Sequence, residues 1–231
     1  MTSYNRLLLT LASLLLLQAC DSSKTRTQNI AKIPAPVSTI DAPSQLITAA
    51  NGAVVEKQGP ITWNTSASKF EFGGQPLAVS RLWNFAEGPQ DFVPRGALSG
   101  PVAGSGLAVT EAGGDTAMRS VAGLNLEGGK DPLVIIRLTR IRAGDLWDGS
   151  LFYTTVSHGE SEQFKGKAPK EANPALNETV TLVYDMAKLR RGGDDWLKST
   201  IDQIRFDLDD APGGAFIVHQ IALAARPAGY P

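Results

Sequence analysis

Apolar residues that recur at every second position constrain this chain more than any other feature. Val180, Leu182, Tyr184 and Met186 alternate with Thr179, Thr181, Val183 and Asp185, and Ile204, Phe206 and Leu208 alternate with Arg205, Asp207 and Asp209. A strand turns successive side chains to opposite faces, so this period predicts half-buried strands rather than helices. Further strands are expected over 61–64, 69–72, 77–85, 107–110, 116–121, 133–142, 151–157 and 215–223. Turn signals separate them, among them Gly113-Gly114, Gly128-Gly129, Gly192-Gly193 and Pro212-Gly213-Gly214, in a chain with 23 glycines and 14 prolines. The one helix expected is a turn or two within 186–190. About ten short strands with such punctuation predict an all-β fold, a two-sheet β-sandwich.

The amino-terminal segment has a different character. An apolar run from Leu7 to Leu17 follows Arg6 and is too short to cross a hydrocarbon core of about 30 Å as a helix. It reads as the apolar region of a secretory signal. The run ends in Leu17-Gln18-Ala19-Cys20, which resembles the lipobox of bacterial lipoproteins. That resemblance implies cleavage before Cys20, acylation of its thiol, and attachment to the lipid bilayer of the cell envelope, facing the periplasm. Cys20 is the only cysteine in the chain, which excludes disulfides and agrees with a lipid role. With two or three acyl chains, at about 0.8 kcal/mol per buried CH₂, attachment would be permanent. Asp21 follows directly, and the same resemblance makes it a sorting residue that favours the inner membrane slightly over the outer.

Residues 1–19 are thus expected to be a signal peptide and 20–43 a flexible tether. Ser22, Ser23, Thr25, Thr27, Gln28, Asn29, Pro34, Pro36, Ser38 and Pro43 give this stretch neither period and no apolar face to bury. Some twenty residues of such chain reach on the order of 25 Å, enough to hold a domain above the headgroups. Residues 44–80 are expected to add strands to a sheet edge of the sandwich formed by 81–231.

Within that last segment an ordered set of cues resembles the galactose-binding-like jelly-roll domains often found as carbohydrate-binding modules. The cues are Trp83-Asn84-Phe85, then Gly106-Leu107-Ala108-Val109-Thr110, Gly113-Gly114-Asp115 with Arg119-Ser120, the long strand 133–142, and Gly149-Ser150-Leu151-Phe152-Tyr153-Thr154-Thr155. Trp196 to Leu208, Pro212-Gly213 and Phe216 to Leu223 complete the order. The resemblance implies a jelly roll with Trp83 and Trp196 in its core. It also raises a structural calcium, to which Asp207, Asp209 and Asp210 would contribute. His219 stands where several such domains carry aspartate, and imidazole is a poor substitute for an oxygen ligand.

Other chemistry is thinly represented. Twenty-two Lys and Arg against 23 Asp and Glu leave a formal charge of −1, without the cationic excess that nucleic-acid binding demands. No G-x-S-x-G, P-loop, dinucleotide-binding or H-E-x-x-H motif is present. With His158 and His219 the only histidines, no spacing for a transition-metal site exists, so neither catalytic nor metal residues are assigned. Sugar recognition remains, by aromatic platforms and polar edges. Trp147 lies in the turn Arg142-Ala-Gly-Asp-Leu-Trp-Asp-Gly149 and is expected to be partly exposed. If Phe152 and Val156 point inward, Tyr153 faces out, with His158 ending the same strand. Arg137 shares the face of Ile135 and Thr139 and offers a bidentate donor to an acidic sugar. Ordinary surface decoration is the competing reading of all three.

Three functions are compatible with this reading. The leading one is a non-catalytic, glycan-binding lipoprotein serving export or assembly of an exopolysaccharide. The others are an envelope scaffold for a protein complex and a polysaccharide lyase or hydrolase, the last using Tyr153 and His158 as base and acid. The anchor is tested first: the protein should partition into detergent phase, and Cys20→Ala should leave an uncleaved or soluble form. Normal processing and membrane retention in that variant would remove the anchor. Asp21→Ser should shift an inner-membrane population outward.

Overall fold

The computed structural model describes residues 53–102, 105–168 and 173–231. The signal segment, Cys20, Asp21 and the tether lie outside the described residues. Sixteen strands are described: β1 (Val55–Glu56), β2 (Ile61–Asn64), β3 (Lys69–Phe72), β4 (Gln75–Pro76), β5 (Val79–Asn84), β6 (Phe92–Arg95), β7 (Ala97–Val102) and β8 (Gly106–Glu111) come first. They are followed by β9 (Ala117–Ser120), β10 (Leu126–Glu127), β11 (Leu133–Arg142), β12 (Ser150–Thr155), β13 (Lys165–Lys167), β14 (Glu178–Asp185), β15 (Thr200–Asp207) and β16 (Ala215–Ala224).

These strands form the expected two-sheet sandwich. The larger sheet runs β1-β14-β11-β16-β8-β7, with β5 also paired to β16. The smaller runs β13-β12-β15-β9-β6, with β10 also paired to β15. Their inner faces share one core. Val134, Ile136 and Leu138 of β11, Val180, Leu182 and Tyr184 of β14 and Phe216, Val218, Ile221 and Leu223 of β16 meet Leu151 and Tyr153 of β12 and Ile201, Ile204 and Phe206 of β15. Trp83 and Trp196 are buried in it, as the resemblance implies, and the Trp196 indole N–H donates to the Asp131 carbonyl at 3.0 Å.

Residues before the sandwich divide in two. The parallel pairing of β1 with β14 does extend a sheet edge. β2, β3 and β4 instead make a separate meander, whose Ile61 and Phe70 pack with Leu133, Ile135, Ala222 and Ala224 on the outer face of the larger sheet. Alternation explains the difference: Leu133 and Ile135 are apolar on the face opposite Val134 and Ile136, and that second apolar face needs a cover.

Two features depart from the expected periods. Besides the 3₁₀ turn Met186–Lys188, inside the segment expected to be helical, there is a 3₁₀ turn at Phe85–Glu87 and one α-helical turn at Asp195–Lys198. Such single turns fall below the length at which a 3.6 period is legible. In β16 the pairing to β11 shifts between Val218 and Gln220, so His219 is an extra residue in the ladder. This bulge moves the inward set from Phe216 and Val218 to Ile221 and Leu223. His219 and Gln220 are both left facing the outer side, next to Thr139 and Arg137.

Phe206 is fully buried between the Trp147 and Tyr184 rings, at centroid distances of 6.2 Å each. Phe206→Ala should therefore lower stability by about 3–5 kcal/mol in chemical denaturation. A loss below about 1 kcal/mol would mean that β15 is inverted.

Candidate functional site

The four residues expected to bind sugar do not converge. Tyr153 is buried, not exposed: its ring packs edge-on to Trp196 at 5.0 Å, and its hydroxyl donates to Asp195 Oδ2 at 2.9 Å. Burial and the Asp195 carboxylate push the phenol well above its ordinary range, so it holds its proton and serves as a donor. The strand is turned over relative to expectation, with Leu151 and Tyr153 inward, Phe152 outward and Val156 almost fully exposed. Phe152 tolerates the outer face because Lys165 and Arg205, on the flanking strands, lie over its ring at 5.0 and 5.2 Å.

His158 does come to Tyr153. Its Nε2 lies 2.9 Å from the same Asp195 oxygen, and its ring stacks on Phe164 at 3.4 Å. The Thr155 hydroxyl accepts the backbone N–H groups of Ser157 and His158. These contacts pin the loop 156–164. They give His158 a positioning duty, and they turn the buried Tyr153 hydroxyl toward Asp195 rather than toward a ligand.

Trp147 is half-buried and plugs one end of the sandwich. It packs on Phe206 and Phe216, with the Arg140 guanidinium 5.9 Å from its ring. The ring folds under its own turn, where a Cβ on Gly149 would stand 2.8 Å from it, and Gly149 has φ +62°. Arg137 faces outward on the larger sheet, on the face expected. Its Nε and Nη2 donate to the two Glu56 oxygens at 2.8 and 2.7 Å, so its fork is already filled by β1.

The inversion of β12 assembles a different surface. Pairing places Lys165 (β13), Phe152 (β12), Arg205 (β15), Arg119 (β9) and Val93 (β6) in one row across the smaller sheet. Five strands at about 4.8 Å spacing make that row about 19 Å long. Arg205 is its hub, with Nε and Nη2 on the Asp207 oxygens at 2.6 and 2.9 Å, Nη2 also on Asp115, and Nη1 3.2 Å from Glu160. Glu160 reaches down from the pinned loop and also pairs with Arg119 at 2.7 Å. The result is an open, acidic trough of about 460 Å³ over the Lys165–Phe152–Arg205 part of the row, with Phe152 and Arg205 on its floor, Glu160, Ser161 and Glu162 on its loop side, and Asp115, Asp148, Asp207 and Asp210 completing a lining of six carboxylates against two cations. Its polar groups are planar and held in place by one another before any ligand arrives. Sequence reasoning missed it because the register of Phe152 decides it, and adjacent Phe and Tyr satisfy either register.

Calcium does not fit the acidic strand end. Both Asp209 oxygens face Arg140 Nη2 at 3.1 and 3.0 Å, and one also accepts the Gly144 N–H. Glu111 beside it accepts the N–H groups of Asp209 and Gly214 at 2.9 and 3.1 Å. Donors stand where a cation would need further oxygens, and Arg140 supplies the positive charge. Burial, with the Asp209 charge adding to it, pushes Glu111 up to about 7. Among the described residues no group of three or more His, Cys, Asp or Glu is arranged to hold a metal.

No protein-family model matches the chain, and no curated protein matches it. Solved structures similar to it include a mutant of a family 29 carbohydrate-binding module complexed with cellulohexaose, at 13% identity and TM-score 0.41, over 62% of this chain and 89% of that one. A second mutant of a family 29 module matches at 12% identity and TM-score 0.40, over 71% and 88%. The C-terminal family 6 module of a laminarinase from Zobellia galactanivorans matches at 12% and 0.35, over 62% and 99%.

The outer face of the larger sheet holds a second polar cluster. His219, set outward by the bulge, has Nδ1 2.7 Å from the Ser105 carbonyl and Nε2 2.7 Å from the Thr139 hydroxyl. With Nδ1 donating and Nε2 accepting, the ring is neutral. Burial is the main cause that pushes its pKa down to about 4; nearby Arg137 adds to the fall, while the Ser105 bond and Glu56 oppose it. Unfolded chains take up that proton near pH 6.5, so the stability is complete above 6.5 and lost as pH falls from 6.5 through 4. Relative to His219→Gln, the wild type should lose about 3 kcal/mol between pH 7 and pH 4 in denaturant titrations. Parallel pH profiles would show that His219 is protonated in the fold.

Proposed function

We propose that this protein is a glycan-binding module tethered to a membrane of the bacterial envelope through acylated Cys20, with Asp21 favouring the inner membrane, and that it serves export or assembly of an exopolysaccharide. The observation that carries the binding part is the cross-strand row Lys165, Phe152, Arg205, Arg119 and Val93 under the loop 156–164. A sugar presents an apolar C–H face and a rim of hydroxyls. Phe152, 8% exposed beneath Lys165 and Arg205, offers its ring for the first once the Lys165 ammonium moves aside, and the carboxylates and guanidinium of Asp207, Glu160 and Arg205 offer acceptors and donors for the second. Displacing Lys165 costs about 0.5–1 kcal/mol, and the hydroxyl contacts would offset it.

Asp207 and Glu160 both accept guanidinium donors, an arrangement that orients a ligand, and burial pushes the Asp207 carboxyl up to about 7 against the pull of Arg205.

Phe152→Ala and Glu160→Gln should each weaken binding to a responsive polysaccharide about tenfold in affinity electrophoresis or calorimetry. Because Phe152 is only 8% exposed, its variant should also lower the thermal transition, whereas Glu160→Gln should move it by only a few degrees. A glycan-positive wild type indifferent to both substitutions would put the site elsewhere. Failure to bind any envelope polysaccharide, together with co-purification of a membrane complex, would replace this reading by the protein scaffold.

A further inference from the structure

A second cavity adjoins the trough and has the opposite charge. It holds about 320 Å³ and is lined by Lys165, Lys167, Lys188, Arg190 and Arg191 against only two carboxylates, Glu162 and Asp185. Both carboxylates are already used. Glu162 pairs with Lys165 at 2.8 Å, and Asp185 pairs with Arg226 and, at 3.5 Å, with Lys188. Lys167 reaches Asp148 at 2.9 Å, outside the cavity. Arg190 and Arg191 are exposed, and neither guanidinium has a partner among the described residues.

The shape of the cavity is fixed by the fold. β13 contributes Gly166 to the wall, where a Cβ would stand 3.1 Å from Met186 Sδ, and Tyr184 and Leu189 add apolar surface. The Tyr184 hydroxyl donates to the Gly149 carbonyl, so the ring is held rather than mobile. The two arginines follow the 3₁₀ turn Met186–Lys188 and precede Gly192 and Gly193, whose φ values of +80° and +59° turn the chain sharply. Two uncompensated forks over a partly apolar floor suit an oxyanion carried on a ring.

Glu162 and Lys165 line both cavities. A chain molecule lying along the Lys165–Val93 row therefore reaches this cavity by passing one ion pair. Resting on the glycan reading of the trough, we infer that the cavity receives a single carboxylate, sulfate or phosphate carried at the end of a glycan whose neutral residues lie in the acidic trough, so that Arg190 and Arg191 read that terminal charge. The role that the sequence suggested for Arg137 falls to these two residues, because Glu56 already fills the Arg137 fork.

The full chain in detergent would be titrated with a cello-oligosaccharide ending in one uronate, with the neutral cello-oligosaccharide of equal length and with glycerol phosphate, the soluble headgroup of phosphatidylglycerol. The wild type should bind the uronate more tightly than the neutral chain, and the preference should shrink as salt rises from 50 to 500 mM. Arg190→Ala/Arg191→Ala should cut uronate affinity at least tenfold and leave neutral binding unchanged, whereas Phe152→Ala should weaken both. Uronate binding indifferent to the double substitution would overturn the inference and leave the trough reading standing. If neither saccharide binds the wild type, both readings fall. Glycerol phosphate binding that the double substitution abolishes, without a uronate preference, would make the arginines a lipid-headgroup contact and overturn the inference.

Discussion

Leu151, Tyr153, Ile204 and Phe206 close against Val134, Ile136, Leu182 and Tyr184 in one continuous core, and this closure leaves the pleat of every central strand no freedom to turn over. A shift of one residue in β12 would bring Leu151 and Tyr153 to solvent and drive Phe152 and Thr154 into the core. Each buried aromatic or aliphatic side chain contributes about 1.5–3 kcal/mol, so the penalty for slipping exceeds anything the outer face can return. What stands outside is therefore a consequence of what is packed inside. Phe152 and Arg205 are neighbours on the trough floor because Leu151 and Phe206 are neighbours in the core.

That dependence explains which parts of the fold the sequence made legible. Segments such as 133–142 and 204–208 carry enough alternating apolar residues for strand and face to be read together, and β11 and Phe206 are where the alternation puts them. In β12 the signal is ambiguous, because Leu151, Phe152 and Tyr153 are all bulky and apolar. The arbiter is Lys165 and Arg205, which cover the outward Phe152 ring until only 8% of the residue is exposed. Neither lies near it in sequence. Short strands such as Phe92–Arg95 and Lys165–Lys167 are set by pairing to neighbours rather than by their own pattern, and so escape periodicity altogether.

Candidate site residues failed for a related reason. Tyr153, Arg137 and His158 were singled out for side chains that suit sugar recognition, but each has its polar group engaged within the protein, by Asp195, by Glu56 and again by Asp195. A polar group placed near a core is normally recruited to satisfy the structure, since an unpaired one costs about 1–3 kcal/mol. Which carboxylate will do so depends on contacts across 37 to 81 positions of chain, and no local pattern encodes them. The informative residues are those left over after this pairing. Trp147 is not among them, held as it is against Phe206 and Phe216, whereas Arg190 and Arg191 are.

Charge in this domain is thus sorted into two kinds. Arg140 between Asp209, Trp147 and Phe216, and Arg205 among Asp207, Asp115 and Glu160, are internal cations that neutralise carboxylates and hold a strand end and a trough in shape. Arg190 and Arg191 have no such duty, and they sit on the one stretch between β14 and β15 where two glycines allow the chain to project them. Arginines elsewhere in the fold do that structural work at the acidic strand end and in the trough, so the two left outside it in a shaped cavity are the ones free to meet an external anion. The proposed lipid tether sharpens the point. A domain held within about 25 Å of anionic headgroups would be drawn onto them by an unscreened cationic patch, whereas Glu162 and Lys165, shared by the cavity and the acidic trough, set the two exposed guanidinium groups at the end of a path that suits a chain-like ligand.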